Sequence, residues 1–165
     1  MTRTQIREEL FKLIFELHFF DPTEYADQVA AFLDAECINV ADDDEEDEKP
    51  TTLEILDDKF AFDEKLLRND ARAVQEIKER IEGFLSHLEE VDGELKEKAE
   101  GWSIDRMGRV ELAILRLCIY EIRFEDLPVG VAINEAVEIA KKYGGESSRG
   151  FVNGVMARVV GNARS

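Results

Sequence analysis

Two glutamates in the last third of the chain are the first candidates for chemistry. Glu135 and Glu138 stand three positions apart in a helical pattern, so their carboxylates share one face, as acid/base catalysis or a di-iron site requires. A di-iron bundle also needs Glu-x-x-His on two helices, and neither His18 nor His87 follows a glutamate at that distance. The chain has no glycine-rich phosphate loop and no serine or cysteine nucleophile motif, so the sequence predicts neither an enzyme nor a cofactor site.

The cysteines do not form a metal site with the histidines. Cys37 and Cys118 are far apart and belong to no Cys-x-x-Cys or Cys/His cluster, whereas zinc sites need closely spaced ligands. Cys118 lies inside an apolar helical run, which predicts a buried thiol.

Negative charge is concentrated in one segment. The net charge is −17, and the block 42–48 supplies seven of the negative charges, which leaves −10 for the rest. Such a block repels itself and cannot be buried, so residues 37–51 are predicted to form a solvated acidic loop. The alternative is a mimic of nucleic acid that competes for a basic surface. Long-range attraction to phosphate requires positive charge, so any RNA contact needs a local patch.

Length and composition predict one folded domain. The 165 residues are 44% apolar and 36% charged, which suits a single helix-rich domain over 1–165. No run approaches the roughly 18 apolar residues of a membrane helix. Charges stand at the N-terminus where a signal peptide is apolar, so a cytoplasmic protein is expected.

Apolar residues recur at helical spacing almost throughout the chain. An amphipathic helix is predicted over 4–20, and the Asp-Pro-Thr sequence at 21–23 ends it and starts a second one. Residues 52–68 are ambiguous. From Asp70 the pattern indicates one long helix or two, with a break near Gly83 or Gly93. Residues 107–124 are apolar nearly all round, which predicts the central buried helix.

Two more helices complete the predicted architecture. Pro128 opens the first of them, and the Gly144-Gly145 pair ends it. Ser147 or Ser148 caps the last helix. The predicted inward positions are Val129, Ile133, Ala136, Val137 and Ala140 in one, and Phe151, Val152, Val155, Met156 and Val159 in the other. The expected fold class is all-α, a compact bundle of about seven helices.

Three ordered motifs occupy the last third of the chain. They are Arg109-x-Glu111-x-Ala-Ile-Leu-Arg116-Leu-x-Ile-Tyr-Glu121, Pro128-x3-Ala-Ile-Asn-Glu-Ala-Val-Glu-Ile-Ala-Lys141 and Phe151-Val-Asn-Gly154. Together they closely resemble the bacterial NusB family. A weaker resemblance covers the first helix and the middle helices. The resemblance to this family implies a non-catalytic, all-α transcription antitermination factor. The implied partners are NusE (a ribosomal protein of the small subunit), the boxA RNA of nascent ribosomal RNA leaders, and the antitermination complex on RNA polymerase.

The resemblance also implies where RNA and partner bind. Recognition of single-stranded RNA uses cations, helix N-termini and exposed aromatic groups. In the family these come from the basic N-terminal arm, the first helix and the Phe-Val-Asn-Gly region. The matching RNA-binding residues here are Arg3, Arg7, Ser147, Arg149 and Phe151. Phe15 and Glu111 resemble positions at which family members meet NusE.

The N-terminal arm departs from the family pattern. Many members carry an arginine-rich run, whereas this chain has only Arg3 and Arg7, followed by Glu8 and Glu9. Gly150 stands where a lysine can occur before the phenylalanine. Fewer phosphate contacts reduce both affinity and its salt dependence, so we expect weak RNA binding by the isolated protein and more dependence on NusE.

Several of these residues also have structural interpretations. Phe151 and Phe15 fit an apolar helix face, and Trp102 fits a packing anchor. Asn134 and Asn153 stand among apolar neighbours, which favours hydrogen bonds between helices, with RNA contact as the alternative. Arg116 and Glu121 fit either an ion pair or part of a binding site.

Two functions are therefore compatible with the sequence. The favoured one is an adaptor that binds boxA RNA together with NusE. The other is a protein-interaction module that has lost RNA binding and engages a basic partner through its acidic loop. Since family members occur as monomers and as homodimers, the resemblance leaves the oligomeric state open.

Overall fold

A computed structural model describes residues 1–38, 58–99, 101 and 103–161. These residues form α-helices joined by short turns, and no β-strand occurs in the described ranges, which confirms the all-α prediction. The α-helices of the described residues are α1 (Arg3–Leu17), α2 (Tyr25–Ile38), α3 (Glu64–Arg68), α4 (Ala71–Ser86), α5 (Leu88–Lys98), α6 (Arg109–Phe124), α7 (Val129–Tyr143) and α8 (Ser148–Val160).

The chain divides into two compact units, Met1–Glu82 and Gly83–Ser165, and the division falls inside the sequence of α4. The predicted acidic loop over 37–51 lies outside the described residues, except that its first two positions belong to α2. Trp102 and the block 42–48 also lie outside them.

Helix α1 of the first unit begins after Thr2, where the side chains of Thr2 and Gln5 accept hydrogen bonds from free backbone N–H groups. The Thr2 hydroxyl accepts from the Gln5 N–H at 3.1 Å, and the Gln5 side chain accepts from the Thr2 N–H at 2.8 Å. This reciprocal arrangement is a capping box.

The prediction that this helix is amphipathic is wrong, because α1 is buried around most of its circumference. Its buried residues include the charged Arg7, Glu9 and Lys12. The Lys12 ammonium donates to the Glu9 carboxylate at 2.8 Å and to the Ala61 carbonyl at 2.9 Å. The other Glu9 oxygen accepts from the Asp63 N–H at 3.2 Å. Burial raises the pKa of the Glu9 carboxyl, an effect that Lys12 partly offsets.

A group of stacked phenylalanines accompanies this ion pair in the first unit. The Phe15 ring stacks on Phe60 with 4.6 Å between centroids and meets the edge of Phe19 at 5.4 Å. Both geometries are favourable for aromatic pairs. The polar and aromatic contacts together attach the segment around 58–63 to α1, a segment whose pattern was ambiguous.

The boundary between α4 and α5 is at His87, and neither Gly83 nor Gly93 breaks a helix as predicted. Gly83 has a packing role, because a Cβ at this position would collide with the Tyr120 hydroxyl. The Tyr120 ring meets Phe84 edge-on at 5.7 Å.

Helix α6 packs with α5, α7 and α8 in the second unit and is apolar around most of its surface, as predicted. Cys118 is 1% exposed and its thiol is free, which confirms the prediction of a buried cysteine. Arg116 has a structural role: its guanidinium forms two bonds to the Asp92 carboxylate of α5, each of 2.9 Å.

Helices α7 and α8 turn a slightly different face inward than the pattern predicted. The buried positions are Ala132, Ala136, Ile139, Ala140 and Tyr143 in α7, and Ser148, Val152, Val155, Met156, Val159 and Val160 in α8. Val129, Ile133, Val137 and Phe151 are therefore half-buried at the flank of the core. This rotation decides which polar residues face solvent.

Candidate functional site

The start of α8 is fixed to the start of α6 by one buried hydroxyl. Ser148 is 2% exposed, and its hydroxyl donates to the Glu111 carboxylate at 2.5 Å. The same oxygen accepts from the Gly145 N–H at 3.0 Å. Ser147 is the N-cap residue by position, but its side chain makes no capping bond. Of the two serines offered by the sequence, Ser148 is the one that fixes the turn.

Glycine is needed before this turn because the chain passes close to Ser148. A Cβ on Gly144 would collide with the Ser148 side chain and the Ala140 carbonyl. The Gly144 backbone is extended, with φ −95° and ψ 178°, so the left-handed helix ending that a Gly-Gly pair suggests does not form at this residue.

Three of the predicted site residues come together beside this contact. Ser147, Phe151 and Glu111 line one open cavity of about 390 Å³, together with Arg106 and the backbone around Gly108. Ser147 is exposed, and Phe151 and Glu111 are half-buried. Residues predicted for RNA and for a protein partner thus share one cavity, which offers a hydroxyl, an aromatic ring, a carboxylate and a guanidinium.

Arg149 is not part of that cavity. With about 100° between successive residues of a helix, it lies on the opposite flank of the buried face of α8 from Ser147 and Phe151. It lines a second and larger cavity of about 740 Å³ between α7 and α8, which we call the α7–α8 groove. The groove is lined by Gly130, Ile133, Asn134 and Val137 of α7, by Glu146, and by Arg149, Gly150, Asn153, Ala157 and Val160 of α8.

The two asparagines are not buried links between helices, so that structural interpretation is wrong. Asn134 and Asn153 are both exposed and line the α7–α8 groove from opposite walls. Their positions fall outside the buried stripes of α7 and α8 because those stripes are rotated relative to the prediction.

The remaining predicted site residues belong to the first unit. Arg3 is exposed at the first position of α1. Arg7 is only 8% exposed and already has an interaction partner, and Phe15 is 6% exposed within its aromatic group. Their roles toward RNA and NusE stay predictions, and both side chains also have packing roles in the first unit.

Ser148 was predicted only as a possible cap of the last helix, and its bond to Glu111 was not predicted. The sequence holds one signal for it, the Gly-Gly pair three to four residues earlier, which marks a tight turn. Its partner Glu111 lies 37 residues away, so only the packing of α6 against α8 reveals the bond. In the described residues, no three His, Cys, Asp or Glu side chains could share a metal ion, and no helix could cross a membrane.

Comparison with known proteins identifies the family. The model of the NusB family matches residues 30–161. The chain belongs to the NusB family. A curated relative, the transcription antitermination protein NusB of Agathobacter rectalis, is 39% identical over 159 residues, which cover 96% of this chain and 98% of the relative.

Solved structures of the NusB family share the fold. T. maritima NusB is 28% identical, with a TM-score of 0.65, over 98% of this chain and 92% of that one. A chain from a crystal structure of the antitermination factors NusB and NusE in complex with double-stranded RNA is 22% identical. Its TM-score is 0.62, and the match covers 97% of this chain and 96% of that one. The family resemblance carried by the three sequence motifs is therefore confirmed.

Proposed function

We propose that this protein is a transcription antitermination factor that binds boxA RNA of nascent ribosomal RNA together with NusE. It acts in the cytoplasm, on RNA polymerase, as a non-catalytic adaptor that supports processive transcription. The observation that carries the proposal is the 39% identity to a transcription antitermination protein across nearly the full length of both chains. The complex of another NusB with NusE and double-stranded RNA supports the choice of partners.

The cavity at the start of α8 supports a role in both contacts. Its half-exposed Phe151 ring offers an aromatic face, on which an unpaired base stacks at a gain of about 1–3 kcal/mol. Glu111, oriented by Ser148, offers a carboxylate to a basic protein surface. We assign Phe151 and Ser147 to RNA and Glu111 to NusE.

Exposed Arg3 is assigned to phosphate, and it stands almost alone in the N-terminal arm. One arginine neutralises one phosphate and so contributes about 0.7 to the slope of log affinity against log salt for a single strand. The isolated protein should therefore bind RNA weakly, with NusE supplying additional contacts.

Binding of labelled boxA RNA, measured by fluorescence anisotropy with and without NusE at two salt concentrations, tests the proposal. The complex with NusE should be tighter for boxA than for a scrambled RNA. Arg3→Ala should weaken RNA binding and lower the salt slope by about 0.7, because one phosphate contact is lost. Binding of NusE and thermal stability should not change.

The control is Arg72→Ala, which removes another exposed arginine, from α4, and should leave RNA binding unchanged. Arg3 is varied alone because Arg7 is buried, and its removal would mix stability with binding. Equal affinity for boxA and scrambled RNA in the presence of NusE would refute the adaptor function. Failure to bind NusE would refute the choice of partner.

A further inference from the structure

The α7–α8 groove is a feature that the proposed function leaves unassigned. Its volume of about 740 Å³ lies within the usual range for sites that hold a small organic group. The groove is open over its glycines, since a Cβ added to Gly130 or Gly150 would meet no atom within 4 Å. Ligand atoms could therefore approach the backbone of both helices.

The polar groups in the groove are free to bind something else. Asn134 and Asn153 face solvent from opposite walls, and neither carboxamide has a hydrogen-bonding partner within the described part of the chain. Each carboxamide offers two donors and one acceptor oxygen. This is the combination that reads the edge of a nucleobase, as when an asparagine pairs with adenine.

The rest of the lining suits a base and its phosphate. Ile133 and Val137 are half-buried and form an apolar surface for the face of a ring. Arg149 supplies a cation and, in the described residues, has no ion-pair partner. Among the described residues of this lining, Glu146 is the one acidic group, and it stands three positions before Arg149 in the sequence.

We propose that the α7–α8 groove binds an unstacked nucleotide of the RNA, with its base edge hydrogen-bonded by Asn134 and Asn153 and its phosphate bound by Arg149. The inference rests on the RNA-binding function proposed above and gives that function a place where sequence is read. A peptide is the competing occupant, because carboxamides also match main-chain amides. RNA is favoured because Arg149 places a cation beside the two carboxamides, which suits a phosphate next to a base, whereas a main-chain amide carries no charge.

Two kinds of contact in the groove predict two different effects on binding. Asn153→Ala or Asn134→Ala should lower affinity for boxA RNA about tenfold, with little change for scrambled RNA, because base contacts carry selectivity. Arg149→Ala should weaken both RNAs alike and lower the salt slope by about 0.7, because it removes a phosphate contact. Anisotropy titrations at several salt concentrations, with NusE present, separate the two effects.

A variant that fills the groove tests the location without removing any polar group. Gly130→Leu places a side chain into open space and should lower boxA affinity about tenfold, an effect of the size of a lost base contact. The matched control is Gly93→Leu on α5, which is exposed, also meets no atom within 4 Å and lies outside the groove. It should leave boxA affinity unchanged.

The outcomes distinguish this inference from the function on which it rests. If the wild-type protein prefers boxA and the groove variants retain that preference, the groove assignment is wrong and the adaptor function stands. If the groove variants lose binding of NusE while RNA selectivity is kept, the groove holds a peptide and the assignment is also overturned. If the wild-type protein shows no preference for boxA, both proposals fail.

Discussion

Helices α1 and α6 are buried to a similar extent but differ in what they bury. Ten of the fifteen residues of α1 are buried, and three of these carry charge. Nine of the sixteen residues of α6 are buried, and Glu121 is the only charged one among them. The interior around α6 is held by apolar packing, whereas the interior around α1 also contains an ion pair that must be satisfied.

The difference shows what an ion pair inside a protein depends on. Lys12 and Glu9 are kept buried by the Ala61 carbonyl and the Asp63 N–H, about fifty residues further along the chain. A buried charge is tolerated only when it is paired and hydrogen-bonded. Replacing a single buried polar residue should therefore lower the stability of the first unit much more than that of the second.

The largest effect is expected for Lys12→Met, which removes the cation and leaves the Glu9 carboxylate buried without its partner. The free energy of unfolding should fall by about 3 kcal/mol in urea denaturation followed by circular dichroism. In α6, Leu117→Met replaces a residue that is 1% exposed by one of similar volume and should cost less than about 1.5 kcal/mol.

The double variant Glu9→Gln with Lys12→Met separates the cost of an unpaired charge from lost packing. It should recover much of the stability lost in Lys12→Met, because no buried charge remains. If Lys12→Met is as stable as the wild type, the ion pair does not support the first unit, and the contrast with α6 disappears.

The same contrast explains which parts of the fold were predictable. Helices α6, α7 and α8 were predictable from the spacing of their apolar residues and from the proline and glycines at their ends, because their buried faces are mostly apolar and their connections are short. The burial of Arg7, Glu9 and Lys12 was not predicted. A charged residue is expected to face solvent unless its partners, which are distant in the sequence for Glu9 and Lys12, are known. The rotated stripes of α7 and α8 were missed for a related reason: a helix with apolar residues on a wide arc does not fix which edge faces the core.

The candidate site was predictable in its location but not in its arrangement. The sequence correctly places Glu111 in α6, Arg149 and Phe151 in α8, and Ser147 at the start of α8. The sequence does not predict that Arg149 lines a different cavity from the other three residues, because this depends on which side of α8 packs inward. The bond between Ser148 and Glu111 could not be predicted from the sequence either, because it joins two separate helices.

An intermediate effect is expected for the polar contact of Ser148 at the start of α8 in the second unit. Ser148→Ala removes the donor to Glu111 and the acceptor for the Gly145 N–H, so the free energy of unfolding should fall by about 1.5 kcal/mol in the same urea assay. The neighbouring Ser147→Ala is the control, since this hydroxyl makes no capping bond. Equal losses in the two variants would mean that the Ser148 bond does not stabilise the unit.

The smallest effect concerns a second acidic group of α1, and it depends on pH. Burial raises the pKa of Glu16 from 4.5 to about 7, so the folded protein favours the protonated carboxyl. This contribution to stability is complete below pH 4.5 and is lost as the pH rises through about 7. Glu16→Gln should therefore raise the free energy of unfolding at about pH 8 by on the order of 1 kcal/mol and leave it nearly unchanged at about pH 4.

The exposed Glu76→Gln of α4 is the control and should change neither value. A gain in Glu16→Gln that is the same at both pH values would show that the half-buried Glu16 carboxyl is not desolvated, so that Glu16 would not add to the contrast between α1 and α6.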